Sequence, residues 1–166
     1  MCIRDSTHVA DYHAGVVVQN TVLKGSAKVD YDAIPHVIFT DPEIAHVGLT
    51  DTEATKQRHK IRVLRWSYAD NDRAHTEQNT RGHIKVVTNQ DGGILGTTIV
   101  GTNAGELISL WTLAIAQRIN IRDVARLVVP YPTLADIGKR AAGTYLTSGL
   151  TRSGLGRIMG FLRLRG

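Results

Sequence analysis

The sequence predicts an α+β domain in which a mainly antiparallel sheet carries helices packed on one side. Three observations predict it. His83–Thr88 and Ile94–Val100 are strand-like runs joined across Asp91-Gly92-Gly93, a short glycine-containing connection suited to a hairpin. Strand-like segments dominate the first hundred residues and helix-like segments dominate afterwards, so hairpins outnumber strand–helix–strand crossovers. Two late runs, one through Leu107, Leu110, Trp111, Ala114 and Ile115 and the other through Leu134, Ile137, Ala141 and Tyr145, repeat at helical spacing and each supplies an apolar face.

Taken in order, Thr7 to about Asn20 mixes alanines, which favour helix, with Val16, Val17 and Val18, which favour strand; pattern alone leaves both open. Residues 21–36, with Gly25, Ser26 and Pro35, read as a linker. Val37–Thr40 and Ile44–Leu49 are strand-like and are broken at Asp41-Pro42, which a central strand would not tolerate. Thr50 and Glu53 have capping-box spacing for a short helix to about His59. Ile61–Tyr68 reads as a strand in which Ile61 and Val63 alternate with Leu64, Trp66 and Tyr68, one of the two faces being wetter. Residues 70–81 are polar and form a loop or a short helix. Asn103, with Glu106 three residues on, is the expected cap of the helix bearing Trp111. Arg122–Leu127 is read as a turn.

It leads into Val129-Pro130-Tyr131-Pro132-Thr133-Leu134-Ala135-Asp136. Two prolines fix the dihedrals around Tyr131 and remove two amide donors, so this stretch is neither helix nor interior strand. Thr133 and Asp136 then stand at capping-box spacing, with Asp in place of the usual Glu. A stiff corner therefore holds one phenol just ahead of a helix. From the residues alone, Tyr131 is equally a packed aromatic at a helix entry.

Composition bounds the function. The chain has 166 residues, 42% of them apolar and 21% charged, which suits one soluble domain with some surplus. No apolar run approaches the ~20 residues needed to cross a bilayer, and no secretory leader pattern opens the chain. The single cysteine, Cys2, suits a reducing compartment, and a cytoplasmic location is expected. Four arginines and no acid in residues 150–166 contribute +4 of the net +5, so the folded body is nearly neutral. A nucleic-acid-binding domain calls for a basic face and aromatic platforms, and aromatic content is only 5%. The seven histidines show no His-x-x-x-His spacing, so no metal site is expected. Gly154-Leu155-Gly156-Arg157-Ile158-Met159-Gly160 has one residue too many for a dinucleotide fingerprint and no flanking strand–helix–strand unit. Leu155, Ile158, Met159 and Leu162 give the tail the pattern of a short amphipathic helix, more in keeping with docking on a subunit than on a membrane.

Four segments in order carry a resemblance: Thr40–Thr50 (Thr-Asp-Pro-Glu-Ile-Ala-x-Val-Gly-Leu-Thr), Leu95–Gly101 (Leu-Gly-x-x-Ile-Val-Gly), Ala104–Ile108 (Ala-Gly-Glu-Leu-Ile) and Pro132–Leu134. Over roughly residues 35–147 the chain resembles the C-terminal dimerisation domain of the flavin-dependent pyridine nucleotide–disulfide oxidoreductases, the group containing dihydrolipoamide dehydrogenase and mercuric reductase. The resemblance implies FAD and NAD(P)H as cofactors, both bound mainly outside this chain, and a homodimer formed through residues 35–149. It makes the run from Thr7 to about Asn20 the last helix of an FAD-binding domain, with Thr7, His8, Val9 and Ala10 as cofactor-binding residues and the amides around Thr7 and His8 facing the flavin pyrimidine. Residues 7–34 would then be a remnant of that domain and its linker, and 150–166 a basic tail. Residues 1–6, Met-Cys-Ile-Arg-Asp-Ser, fit none of this and read as a foreign leader or an unusual natural N-terminus.

In the family the position of Tyr131 is commonly a His, its bond to the following Pro is cis, and a Glu stands five residues after it. From one subunit that pair reaches the flavin and redox disulfide of the other, where the imidazole exchanges protons with a thiol. Here Tyr131 and Asp136 take those places as the candidate catalytic pair. A phenol with a pKa of about 10 does not shuttle protons to a thiol at neutral pH. Tyrosine here looks more like the mercuric reductase branch, although the paired terminal cysteines of that branch are not in this chain, and neither are the redox Cys-x-x-x-x-Cys and the two dinucleotide fingerprints. The expectation is an interface domain of an oxidoreductase passing electrons from NAD(P)H through FAD to a disulfide-like or metal acceptor, inactive by itself. The rival reading is a free-standing protein-interaction module of the same fold.

Overall fold

The computed structural model describes residues 6–57 and 60–152. In chain order the elements are α1 (Thr7–Thr21), β1 (His36–Ile38), β2 (Ile44–Gly48), α2 (Asp51–Lys56), β3 (Ile61–Ser67), α3 (Asp72–Thr76), β4 (His83–Asn89), β5 (Ile94–Val100), α4 (Ala104–Ala116), α5 (Ile121–Arg126) and α6 (Asp136–Arg152). A 3-10 helix over Tyr68–Asp70 separates β3 from α3. The five strands form one sheet in the order β1-β2-β5-β4-β3, every pairing antiparallel. The α+β class therefore holds.

Alternation places Ala45, Val47, Leu64, Ile84, Val86 and Ile99 on one face of this sheet, where all six are buried. Helices α4, α5 and α6 cover that face with Ile108, Trp111, Ile121, Val124, Ile137, Ala141 and Tyr145. Leu134, Ile137, Ala141 and Tyr145 are all buried, so the helical period read for α6 is the one used. In α4 the buried set is Ala104, Ile108, Trp111 and Ala114, whereas Leu107, Leu110 and Ile115 are half-buried. The expected apolar face is thus rotated towards Ile108.

The other face is not simply wet. Helix α2 packs on β3, Asp51 pairs with Lys85 of β4 at 2.9 Å, and Val87 beside them is 1% exposed. Ile61 and Val63 are accordingly half-buried rather than solvated. The Thr50–Glu53 capping box is formed in full: the Thr50 hydroxyl accepts from the Glu53 amide, and the Glu53 carboxylate accepts from the Thr50 amide at 2.9 Å.

Several expectations are corrected. Helix α2 ends at Lys56, short of His59, and β1 stops at Ile38, before the cis Asp41–Pro42 bond. Arg122–Arg126 belongs to a helix, α5, with Leu127 as its C-cap, because the Asn120 side chain accepts from the Arg122 amide and caps it. Asn103 does not cap α4. It sits in the left-handed region at φ 59° and its side chain makes no cap bond; the Glu43 carboxylate accepts from the Gly105 amide at 2.8 Å instead. Nor do Thr133 and Asp136 form a capping box: Thr133 donates its hydroxyl to the Pro130 carbonyl at 2.7 Å, and Asp136 accepts from Arg140. The pattern read in residues 155–162 lies outside the described residues.

Candidate functional site

The corner from Pro130 to Thr133 closes against the start of α3. Asn71, 3% exposed, is the tie. Its side-chain oxygen accepts from the Ala74 amide at 2.9 Å and so caps α3, while its amide nitrogen donates to the Thr133 carbonyl at 3.1 Å. The next residue, Asp72, receives the Tyr131 hydroxyl at 2.8 Å. Two adjacent residues thus hold a corner some sixty positions further along the chain.

Tyr131 is 74% exposed, so its ring is not packed within its own domain. Its bond to Pro132 is cis, as the resemblance implies. The phenol and Asp136 share the wall of a small polar cavity of about 130 Å³ with Trp66, Asp70, Arg73 and Arg140. Asp136 does not engage the phenol; it accepts from Arg140 Nε at 2.9 Å, an i,i+4 pair on α6. The hydrogen bond to Asp72, then the negative charge of Asp72, hold the Tyr131 phenol above the ordinary tyrosine pKa of 10.0. Tyr131 is therefore neutral at physiological pH and its proton faces a carboxylate.

The other candidate group lies elsewhere. Thr7, His8, Val9 and Ala10 open α1, as the helical alternative requires. Val9 is buried; Thr7, His8 and Ala10 are exposed. The Ser6 side chain makes no cap bond, its carbonyl takes the amides of Val9 and Ala10, and the amides of Thr7 and His8 precede any intrahelical acceptor. The His8 ring lies 2.9 Å from the Pro35 carbonyl, fastening α1 to the linker. His8 and Val9 line a larger, mostly apolar cavity of about 660 Å³ with Ile34, Pro35, Thr112 and Leu113. Neither Tyr131 nor Asp136 borders it, so one chain brings its two candidate groups to two separate places.

Asn71 and Asp72 were not legible as site residues. Asn-Asp in a polar stretch announces a helix cap or a turn, and nothing local says that the cap faces the proline corner. Among the described residues no cluster of three His, Cys, Asp or Glu side chains is placed to hold a metal ion. No described helix is long and apolar enough to cross a membrane.

The chain is similar to proteins of one kind. It is 36% identical over 129 residues to the mitochondrial dihydrolipoyl dehydrogenase of Dictyostelium discoideum, covering 77% of this chain and 26% of that protein. With the dihydrolipoyl dehydrogenase of Staphylococcus aureus it shares 35% identity over 136 residues, 81% of this chain and 29% of the other. The fold matches LpdA from Mycobacterium tuberculosis with a TM-score of 0.77 at 24% identity, over 82% of this chain and 30% of that one. It also matches the HOCl-induced flavoprotein disulfide reductase RclA from Escherichia coli, with a TM-score of 0.78 at 18% identity, over 83% of this chain and 32% of that one. The chain thus spans about a quarter to a third of the length of these relatives. The family described as pyridine nucleotide-disulphide oxidoreductase, dimerisation domain, matches residues 34–142, which take in the whole sheet and the proline corner; the chain belongs to that family.

Proposed function

We propose that this domain pairs two copies of an oxidoreductase that passes electrons from NAD(P)H through FAD to a disulfide-like or metal acceptor, and that Tyr131 stands on the acceptor side of the partner subunit's flavin. The observation that carries the reading is the exposure of Tyr131, 74%, on a corner that two prolines and the Asn71 tie make rigid. An ordered phenol that stays largely exposed is suited to meeting a group on another domain. Asp136, five residues on, is engaged with Arg140 and contributes negative charge near the phenol without touching it.

The opening of α1 fits the flavin end of such an enzyme. The Thr7 and His8 amides, with Val9 and Ala10 completing the turn, present donors and the positive end of the helix to an electron-rich carbonyl. When bound, FAD supplies the redox chemistry between nicotinamide and acceptor. This chain's part is to present those amides, to form the dimer surface and to place Tyr131. A cytoplasmic location follows as part of the same proposal.

Subunit mixing tests it. In an enzyme of full family length, a Tyr131→Phe chain is paired with a chain lacking the redox cysteines. Cross-subunit placement predicts one working site per mixed dimer: the intact cysteine pair of the first chain served by the intact Tyr131 of the second. Mixed dimers with no activity above that of the two parental variants would show that Tyr131 serves its own subunit's cysteines, or none.

A further inference from the structure

The phenol of Tyr131 has one proton to donate and lone pairs with which to accept. That proton is committed to Asp72 Oδ2 at 2.8 Å. Asp72 is itself held in place, since Asn71 beside it is buried and bonded both to α3 and to the Thr133 carbonyl. The other charges around the phenol are Asp70 and Arg73 before and within α3, and Asp136 and Arg140 on α6. Asp136 is occupied by Arg140, and Arg73 by Glu77.

We propose that Asp72 is the positioning residue for Tyr131, fixing the phenol so that its oxygen faces outward as a hydrogen-bond acceptor. This rests on the acceptor-side placement of Tyr131 proposed above and adds a direction to it. Tyr131 takes a hydrogen bond from the bound acceptor, or its oxygen faces a cation; it does not supply the acceptor with a proton. The raised pKa of the phenol agrees, because the same carboxylate that orients the hydroxyl also disfavours its ionisation.

Two measurements test the proposal and separate its failure from that of the placement. The first uses the 166-residue chain with its tyrosines labelled at Cζ, followed by NMR through alkaline pH, Tyr131→Phe assigning the signal. The Tyr131 midpoint should lie above the ordinary tyrosine value, and Asp72→Asn, which keeps the shape but loses the charge, should lower it. An unchanged midpoint in Asp72→Asn overturns the proposal, whatever the enzyme does. The second uses an enzyme of full family length and compares kcat/KM for the acceptor. Asp72→Ala and Tyr131→Phe should each cost roughly 10- to 100-fold, as misplacement of a site group does, and the double variant should be no worse than Tyr131→Phe alone. Additive losses overturn the positioning role. If Tyr131→Phe costs nothing while the NMR shift is present, the acceptor-side placement fails and the Asp72 contact is a structural clip only.

Discussion

The Glu43 carboxylate accepts a hydrogen bond from the Gly105 amide at 2.8 Å, so the first turn of α4 is capped by a residue from the loop ahead of β2. The Glu43 carbonyl also receives the Gly101 amide at 2.9 Å, which joins the same loop to the end of β5. Glu43 therefore does the work expected of Asn103. Glu43→Ala should cost about 1 kcal/mol, the usual loss for a helix cap, whereas Glu43→Gln, which keeps an acceptor, should cost less. Asn103→Gly should be close to neutral, because the left-handed backbone there suits glycine. Urea unfolding of the three variants checks the order; equal losses at Glu43 and Asn103 would contradict it.

Tyr145 joins α6 to the hairpin and to α5. Its hydroxyl donates to the Gln90 carbonyl at 2.8 Å and accepts from Arg122 at 3.1 Å, while the Arg62 guanidinium lies 3.9 Å from its ring centre. Tyr145→Phe keeps the ring and removes the hydroxyl from the Gln90 carbonyl and the Arg122 guanidinium, both on exposed residues. The expected loss is about 0.5–1.5 kcal/mol, the net worth of an ordinary hydrogen bond, read by chemical denaturation. A loss below about 0.5 kcal/mol, as for an ordinary surface change, would mean that the hydroxyl contacts add nothing.

The capping box of α2 should make part of the stability pH-dependent. Bonds from the Thr50 amide, then from the Thr50 hydroxyl, hold the Glu53 carboxyl below its ordinary value of 4.5. A depressed folded pKa means that this contribution is complete above the ordinary value and is lost as pH falls through the folded one. Glu53→Gln should therefore be destabilising at neutral pH and nearly silent in acid below the carboxylate range. Stability curves at several pH values check this; a penalty that stays constant into acid would assign it to packing instead of charge.

Self-association should run through apolar side chains that the fold leaves uncovered. Phe39 is 79% exposed, Ile38 57%, Val128 92% and Leu113, on the same helix as Trp111, 55%. Phe39→Asp or Val128→Asp should weaken dimerisation tenfold or more, about 1.4 kcal/mol, by placing an unpaired charge in an apolar contact. Sedimentation equilibrium reads the shift, and dimers of undiminished affinity in both variants would place the interface elsewhere.

What the sequence determined by itself is whatever rests on neighbours in the chain. The β4–β5 hairpin, the Thr50–Glu53 box, the α6 face through Ile137 and Ala141, and the stiffness of the corner around Tyr131 each depend on bonds or side-chain spacing within a few residues. Tertiary structure decided which of several equivalent local partners is used. Asn103 and Thr133 both have capping chemistry at capping spacing, yet Glu43 reaches α4 first, and the Thr133 hydroxyl turns back to Pro130. Asp136 stands where the candidate pair required it, but Arg140, one turn on along α6, takes its carboxylate and leaves the phenol to Asp72. The physical reason is range: a hydrogen bond between residues three apart is written in their spacing, whereas one between residues 59 apart exists only after the sheet and helices have packed and brought α3 beside the corner.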